Sequence, residues 1–407
     1  MSEPHHSPAE VFDRTCRLLQ ELTAISSPSG DREGLWSAAR RLGSELERHH
    51  LAVQVRDEAD GDGLLQPVLY ARGPAAGERY LLLIGHLDTV LAAVAPERRD
   101  GRLYATGAID MKGGLAAFVG ALDLLATQNR RPAADLCLVV VPDEEVAGYL
   151  SKRAVETFGV GARGLWVLEP GDRRGEAETL VTGRRGMFHW QLDVRGRGAH
   201  AGNAYWQGRS ALTAAADWCV GARQLALPGP GPTVNVARLV AGDEGFVDHL
   251  AASADLLGSS RQINVVPNRA RAEGEVRFLA TAEGERLRET LDALTLQIAE
   301  RHDVAATFAA CGWIPPLDPR GPGRRWSEVA VGLAAARGWQ LEIEDNRGGI
   351  SFPNFLPDPG ALGVLDGLGP VGGGMHTRDE FLDLASLDRR IVLLADLLAA
   401  DAAGDLA

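Results

Sequence analysis

No stretch of this 407-residue chain comes near the run of roughly 20 apolar residues that a bilayer-crossing helix needs, so a helical membrane protein is excluded. The amino terminus, MSEPHHSPAE, offers neither a basic leader nor an apolar run behind it, and the cytoplasm is the expected compartment. Cysteine is scarce. Cys16, Cys137, Cys219 and Cys311 lie far apart with no CxxC spacing, which argues against a disulfide framework and against a thiolate zinc site. Positive charge is short as well: 42 Lys and Arg face 55 Asp and Glu, a net charge of -13 at pH 7. Nucleic acid and anionic membranes need clustered cations and are excluded as partners, whereas a small anionic substrate held by one or two arginines is not. Internal repeats and low-complexity tracts are absent too.

What is present is a globular composition, 45% hydrophobic and 24% charged, in a chain too long for one core and suited to two domains. Residues 8–24 and 31–48 have helical spacing on either side of the turn-rich SSPSGD. Beyond them AVQVRD, PVLYARG, RYLLLIGHLDTV, ADLCLVVVPDEE and GLWVLEP predict strands, and LAAFVGALDLLATQN predicts a buried helix. This alternation predicts an α/β domain with a mostly parallel central sheet, with ligands at the carboxyl ends of its strands. From Gly183 the order becomes strand (MFHWQLDVRG), helix (RSALTAAADWCVGARQL), strand (TVNVARLVAG), strand (INVVPNRARAEGEVRF), helix (AEGERLRETLDALTLQIAERH), strand (VAATFAACGWI). That βαββαβ order is ferredoxin-like. It predicts a domain of residues 183–313 inserted into a catalytic domain made of residues 1–182 and 314–407. The segment DEGFVDHLAASADLLGSS exceeds a hairpin's needs and leaves room for an extra helical flap.

Five polar clusters carry the chemistry. In GHLDTV, His86 and Asp88 stand two apart at a strand end and point to the same side. His86 is a candidate metal ligand, and Asp88 a carboxylate able to take its second ring N–H and fix the tautomer. In ATGAIDMKGG, Asp110 either reaches between two ions or serves only the N-terminus of the following helix. VVVPDEEV sets three acids, among them Glu144 and Glu145, after a buried strand; they repel one another unless a cation is present, the plainer alternative being a solvated acidic loop. Glu169 in LEPGD directly follows another buried strand, and GGGMHTRDEF holds His376 after three glycines that let the backbone approach a ligand. Together, two imidazoles and three carboxylates suit zinc or a similar divalent ion better than calcium, which prefers oxygen alone.

The ordered set GHLDTV, GAIDMKGG, PDEEV, LEP, GRGAHAG, INVVPN with a following EVRF, and GLGPVGGGMHTRDEF resembles the dinuclear zinc aminoacylase and carboxypeptidase family. That family includes acetylornithine deacetylase, succinyl-diaminopimelate desuccinylase and bacterial glutamate carboxypeptidase. The likeness runs from about residue 10 to about residue 400. It implies a zinc-peptidase catalytic domain with an inserted dimerisation domain, and two Zn2+, replaceable by Co2+ or Mn2+. Asp110 would bridge the ions, with His86 and Glu169 completing one site, Glu145 and His376 the other, and Glu144 deprotonating the water between them. Asp88 would act with the catalytic group behind His86. The resemblance also implies a homodimer in which His200 reaches across to the substrate carbonyl as an oxyanion donor. Asn264 and Arg277 resemble positions that bind the substrate's free carboxylate, a task suited to a planar guanidinium, although Arg277 also fits an ordinary strand-end charge.

The expected activity is metal-dependent hydrolysis of the amide bond in an N-acyl amino acid or small peptide with a free carboxylate. Two alternatives stand beside it: a dipeptidase, which would require a free amino group on the substrate, and a non-catalytic binding protein. The second would be expected to have lost Glu144 or a ligand, and none is lost. One departure concerns specificity. Similar enzymes carry an acid in the run occupied here by Ile350, Ser351, Phe352, Pro353 and Asn354. Phe352 therefore removes a negative charge near the metal pocket, and Arg347 is expected to favour an anionic or bulky acyl group.

Overall fold

The apolar runs of the first half assemble into a six-stranded sheet in the order Ala52–Ala59, Leu65–Arg72, Leu136–Val141, Tyr80–His86, Ala162–Val167 and Val364–Leu365. The last four strands are parallel; Leu65–Arg72 joins them antiparallel, and Ala52–Ala59 pairs antiparallel with Leu65–Arg72. Tyr80–His86 and Leu136–Val141 are buried along their whole length, as central strands covered on both faces must be. One face receives the helix Arg32–Glu47, whose Gly43 lies against Val53 and Leu69. The other receives Tyr149–Gly159. Because the parallel strands share a direction, His86, the turn after Val141 and the turn after Val167 all emerge at one sheet edge.

This computed structural model describes residues 7–252 and 265–406. The chain divides into one unit of Met1–Gly183, Asp318–Arg347 and Ser351–Ala407, and a second of Arg184–Leu317 with Gly348–Ile350. In the second unit four antiparallel strands are ordered Thr233–Gly242, Arg269–Phe278, Gly186–Arg195 and Ala305–Ile314. The helices Ala211–Arg223 and Thr281–His302 pack on this sheet, which completes the ferredoxin-like order. Trp190 and Trp218 meet in its core at 4.8 Å between ring centroids, and the Trp218 indole N–H donates to Thr295 Oγ1 at 2.8 Å. The strand expected from Ile263 begins only at Arg269 among the described residues, where pairing with Gly186–Arg195 starts. The helix Glu244–Ala252 occupies the start of the long connection.

Several elements escaped the sequence reading. The helix Tyr149–Gly159 has Gly148 at its N-cap and no capping side chain of its own; Asp143 supplies the acceptor instead, taking the N–H groups of Leu150 and Ser151. Glu97–Arg99 and Arg102–Tyr104 form a small sheet with Phe381–Asp383 and Gly372–Gly373. No described helix is long and apolar enough to cross a membrane.

Candidate metal centre

At the carboxyl edge of the main sheet, His86 is wholly buried and its two nitrogens face different groups. Nδ1 lies 3.0 Å from the Asp88 carbonyl oxygen and 3.2 Å from Asp88 Oδ1, while Nε2 faces Asp110 Oδ1 at 3.2 Å and Glu169 Oε1 at 3.6 Å. The other oxygen of Asp110 meets His376 Nε2 at 3.4 Å, and His376 Nε2 meets Glu145 Oε2 at 3.1 Å. One carboxylate thus stands between two imidazoles that are 376 − 86 = 290 positions apart in sequence. Oxygen and nitrogen atoms of His86, Asp110 and Glu145 lie within 4.8 Å of one another, and so do those of His86, Glu144 and Glu169.

The local chain explains how these side chains are aimed. Gly107, at φ +73°, turns the backbone where an added Cβ would meet Thr89 at 2.7 Å. The next residues are tied by Glu380, whose carboxylate accepts the N–H groups of Gly107, Ile109 and Asp110 at 2.8–3.2 Å. The helix Gly113–Thr127 follows at once, with Gly114 so close to Leu168 that a Cβ would sit 1.9 Å from that carbonyl oxygen. Asp88 is fully buried and serves four residues: besides facing His86 it accepts from Ser29 Oγ at 2.7 Å and from the backbone N–H groups of Glu144 and Glu145 at 3.1 Å each. Buried Lys112 donates to the carbonyls of Leu22 and Ile25, anchoring the same turn to the end of the helix Pro8–Ala24.

Electrostatics test whether this donor set fits a metal. Burial opposes a proton on His86, yet hydrogen bonds to Asp110 and Asp88 outweigh it and hold the imidazole well above its ordinary pKa. The hydrogen bond to Asp110 lifts His376 to about 9. Burial would raise Asp110, but hydrogen bonds from His376 and His86 hold it well below the usual carboxylate range. Burial, and then the charge of Asp110, pushes Glu145 up to about 8. Protons on His86, His376 and Glu145 thus stand in for the positive charge that a cation beside Asp110 would supply. The N and O donors facing one another here fit divalent ions with mixed ligation.

The sequence profile of peptidase family M20/M25/M40 matches residues 82–400. The chain belongs to this family. Carboxypeptidase G2 of Pseudomonas sp. (strain RS-16) is 25% identical over 391 residues, covering 94% of this chain and 88% of that one. A succinyl-diaminopimelate desuccinylase of Xylella fastidiosa (strain 9a5c) is 27% identical over 403 residues, covering 93% and 95%. Among solved structures, aminopeptidase PepT from Bacillus cereus ATCC 10987 shares the fold at a TM-score of 0.76 with 20% identity, covering 96% of this chain and 99% of that chain. As a member of M20/M25/M40 the protein is a metallo-amidohydrolase or metallopeptidase.

Other residues singled out in this M20 sequence lie in the second unit. His200 pairs with Val265 across an isolated bridge, and its Nδ1 accepts the backbone N–H groups of Gly202 and Asn203 at 3.1 and 3.2 Å. In the neutral ring that places the proton on Nε2. Arg277 forks onto both oxygens of Glu275 at 2.9 and 3.1 Å and donates to the Gly348 carbonyl at 2.6 Å. Asn264 lies outside the described residues. In the first unit, the ring of Phe352 is fully buried with its centroid 6.4 Å from that of His86, an apolar wall beside the centre. The expectation for Arg347 needs correction. It donates to Glu344 Oε2 at 2.8 Å and to the Pro170 carbonyl at 2.8 Å, so its charge is neutralised inside the fold and not offered to an acyl group. Glu380, Ser29 and Lys112 were missed as supporting residues; the only signal was that each lies within or beside a glycine- or serine-rich turn of a motif.

Proposed function

We propose that the protein is a two-zinc hydrolase that cleaves the amide bond of an N-acyl amino acid or small peptide with a free carboxylate, in the manner of a carboxypeptidase or deacylase. The observation that carries the reading is Asp110, one carboxylate facing His86 and His376, with Glu169 and Glu145 beside those imidazoles. His86, Asp110 and Glu169 would hold one ion, and Asp110, Glu145 and His376 the other. When bound, zinc supplies Lewis acidity toward the scissile carbonyl and lowers the pKa of a water. Asp88 keeps Nδ1 of His86 engaged and leaves Nε2 to ligate. Glu144 takes the proton of the attacking water and passes it to the leaving amine.

The second unit completes the reading. His200 presents Nε2–H as a donor to the substrate carbonyl, across a homodimer built through residues 184–317. Arg277, with Asn264, receives the substrate carboxylate, which would take the place now held by Glu275. The names carboxypeptidase and desuccinylase among the relatives support a substrate with a carboxylate beside the scissile bond.

The test is hydrolysis of N-acetyl, N-succinyl, γ-glutamyl and aryl-acyl amino acids and of dipeptides by zinc-loaded protein, each with a free or an amidated carboxylate. Turnover should require the free carboxylate. Glu144→Gln should lower kcat by about 10²–10⁴-fold while zinc analysis still finds two ions per chain. Since Glu144 stands in one shell with His86 and Glu169, loss of an ion in this variant would make it a ligand instead. Near-full turnover would remove it from the mechanism.

A further inference from the structure

On the sheet face opposite Arg32–Glu47, the strands Ala52–Ala59 and Leu65–Arg72 and the helix Tyr149–Gly159 line a solvent-open cavity of about 220 Å³ that shares no residue with the metal centre. The strand register explains its lining: Gln54 stands opposite Tyr70 and Arg56 opposite Val68, so alternate residues of both strands point into it. The helix adds Arg153 and Phe158 from one side.

Three guanidinium groups, of Arg56, Arg72 and Arg153, line this space with a single carboxylate, Glu58. That carboxylate is already engaged, since Tyr70 Oη donates to it at 2.5 Å and Arg153 approaches at 3.6 Å. Arg56 finds the Gln54 side chain and the Tyr70 ring, and Arg72 finds the Tyr80 ring and a 3.5 Å contact with the Gly77 carbonyl. No carboxylate forms an ion pair with Arg56 or Arg72 among the described residues; the Arg72 guanidinium meets the Cys137 thiol, a weak acceptor, and its buried Nε has no nitrogen or oxygen acceptor. A buried donor with no acceptor is uncommon in a folded protein and marks a position where an acceptor binds.

We propose that this cavity binds a small dianion, a dicarboxylate or a phosphate ester, with its charged groups on Arg56 and Arg72 and its carbon skeleton against Val68 and Phe158. The charge balance fits, because three cations less one anion leave 3 − 1 = 2 positive charges. So does the size, since drug-sized ligands need roughly 300–1,000 Å³. Guanidinium groups are suited to either oxyanion through paired N–H donors.

The experiment titrates zinc-loaded protein with inorganic phosphate and separately with glutarate, following phenylglyoxal modification of individual arginines by peptide mass spectrometry. This readout locates binding and separates it from any binding at the metal centre. At least one ligand should slow modification of both Arg56 and Arg72; phosphate alone would mark a phosphate ester site, glutarate alone a dicarboxylate site. Calorimetric affinity should fall at least about tenfold in the Arg56→Ala/Arg72→Ala variant with turnover unchanged. Glu58→Gln, which removes the lone negative charge and leaves an acceptor for Tyr70, should strengthen binding and does not depend on how the arginine variant folds. Modification of Arg56 and Arg72 indifferent to both ligands, or affinity unmoved by either variant, overturns the proposal.

Discussion

Removing the Glu380 carboxylate should loosen the turn that aims Asp110, although Glu380 itself faces backbone N–H groups rather than the space between the imidazoles. Glu380→Ala is expected to weaken metal binding by about 10–100-fold, the usual effect of losing a group that orients a ligand. Competition with a calibrated chelator measures it, and an affinity equal to wild type would show that Gly107 and the following helix fix the turn unaided. At this scale the sequence was informative wherever a side chain follows a buried strand. His86, Glu144, Glu145 and Glu169 could be placed at a sheet edge from apolar runs alone, and Asp110 and His376 needed the motif set as a whole. Glu380 and Lys112 were invisible because their partners are backbone groups brought near only by folding. Arg347 misled for the related reason that its neutralising partner, Glu344, lies just beyond the motif being read.

Among the elements, the strand Ala162–Val167 depends on one cation. Arg163 grips Asp135 through Nε and Nη2 and Asp401 of the helix Leu384–Ala403 through Nη1 and Nη2, at 2.6–3.1 Å. Asp401 is nearly buried, so Arg163→Met would strand its charge and should lower unfolding stability by about 3 kcal/mol at neutral pH. The pH dependence has a definite sign. The Arg163 hydrogen bond holds Asp135 below the ordinary carboxylate pKa, so its stabilisation is present above that value, about 3.9, and fades as acid carries the pH down through the lowered one. The gap between the two proteins in urea titrations should therefore narrow as the pH falls below about 4; a gap that stays constant would remove the Asp135 pair from the account of the loss. Long apolar strands and amphipathic helices were legible because each carries its own period. Tyr149–Gly159 was not, since its N-terminal acceptor, Asp143, lies outside the helix, and neither were three-residue strands such as Arg102–Tyr104, whose partner Phe381–Asp383 is distant in sequence.

At the scale of the whole molecule, the five proposed ligands all belong to the first unit, but they enter it from five separated stretches of chain. Ions bound there act as a link that the unfolded chain lacks. With zinc at about 100 times its dissociation constant, the melting transition of that unit should rise by about 5–10 °C over the chelated protein. The transition of Arg184–Leu317 should stay where it is. Differential scanning calorimetry checks both, and equal shifts in the two would show that the units unfold together.

The two imidazoles that flank Asp110 also differ in access: His86 is sealed from solvent behind Phe352, while the His376 side chain is 55% exposed. Ions of one kind seated in such unequal surroundings would not be equally labile. A chelator would strip the outer position quickly and the inner one slowly, so zinc should leave in two kinetic phases, with a half-loaded protein accumulating between them and its remaining ion held at His86.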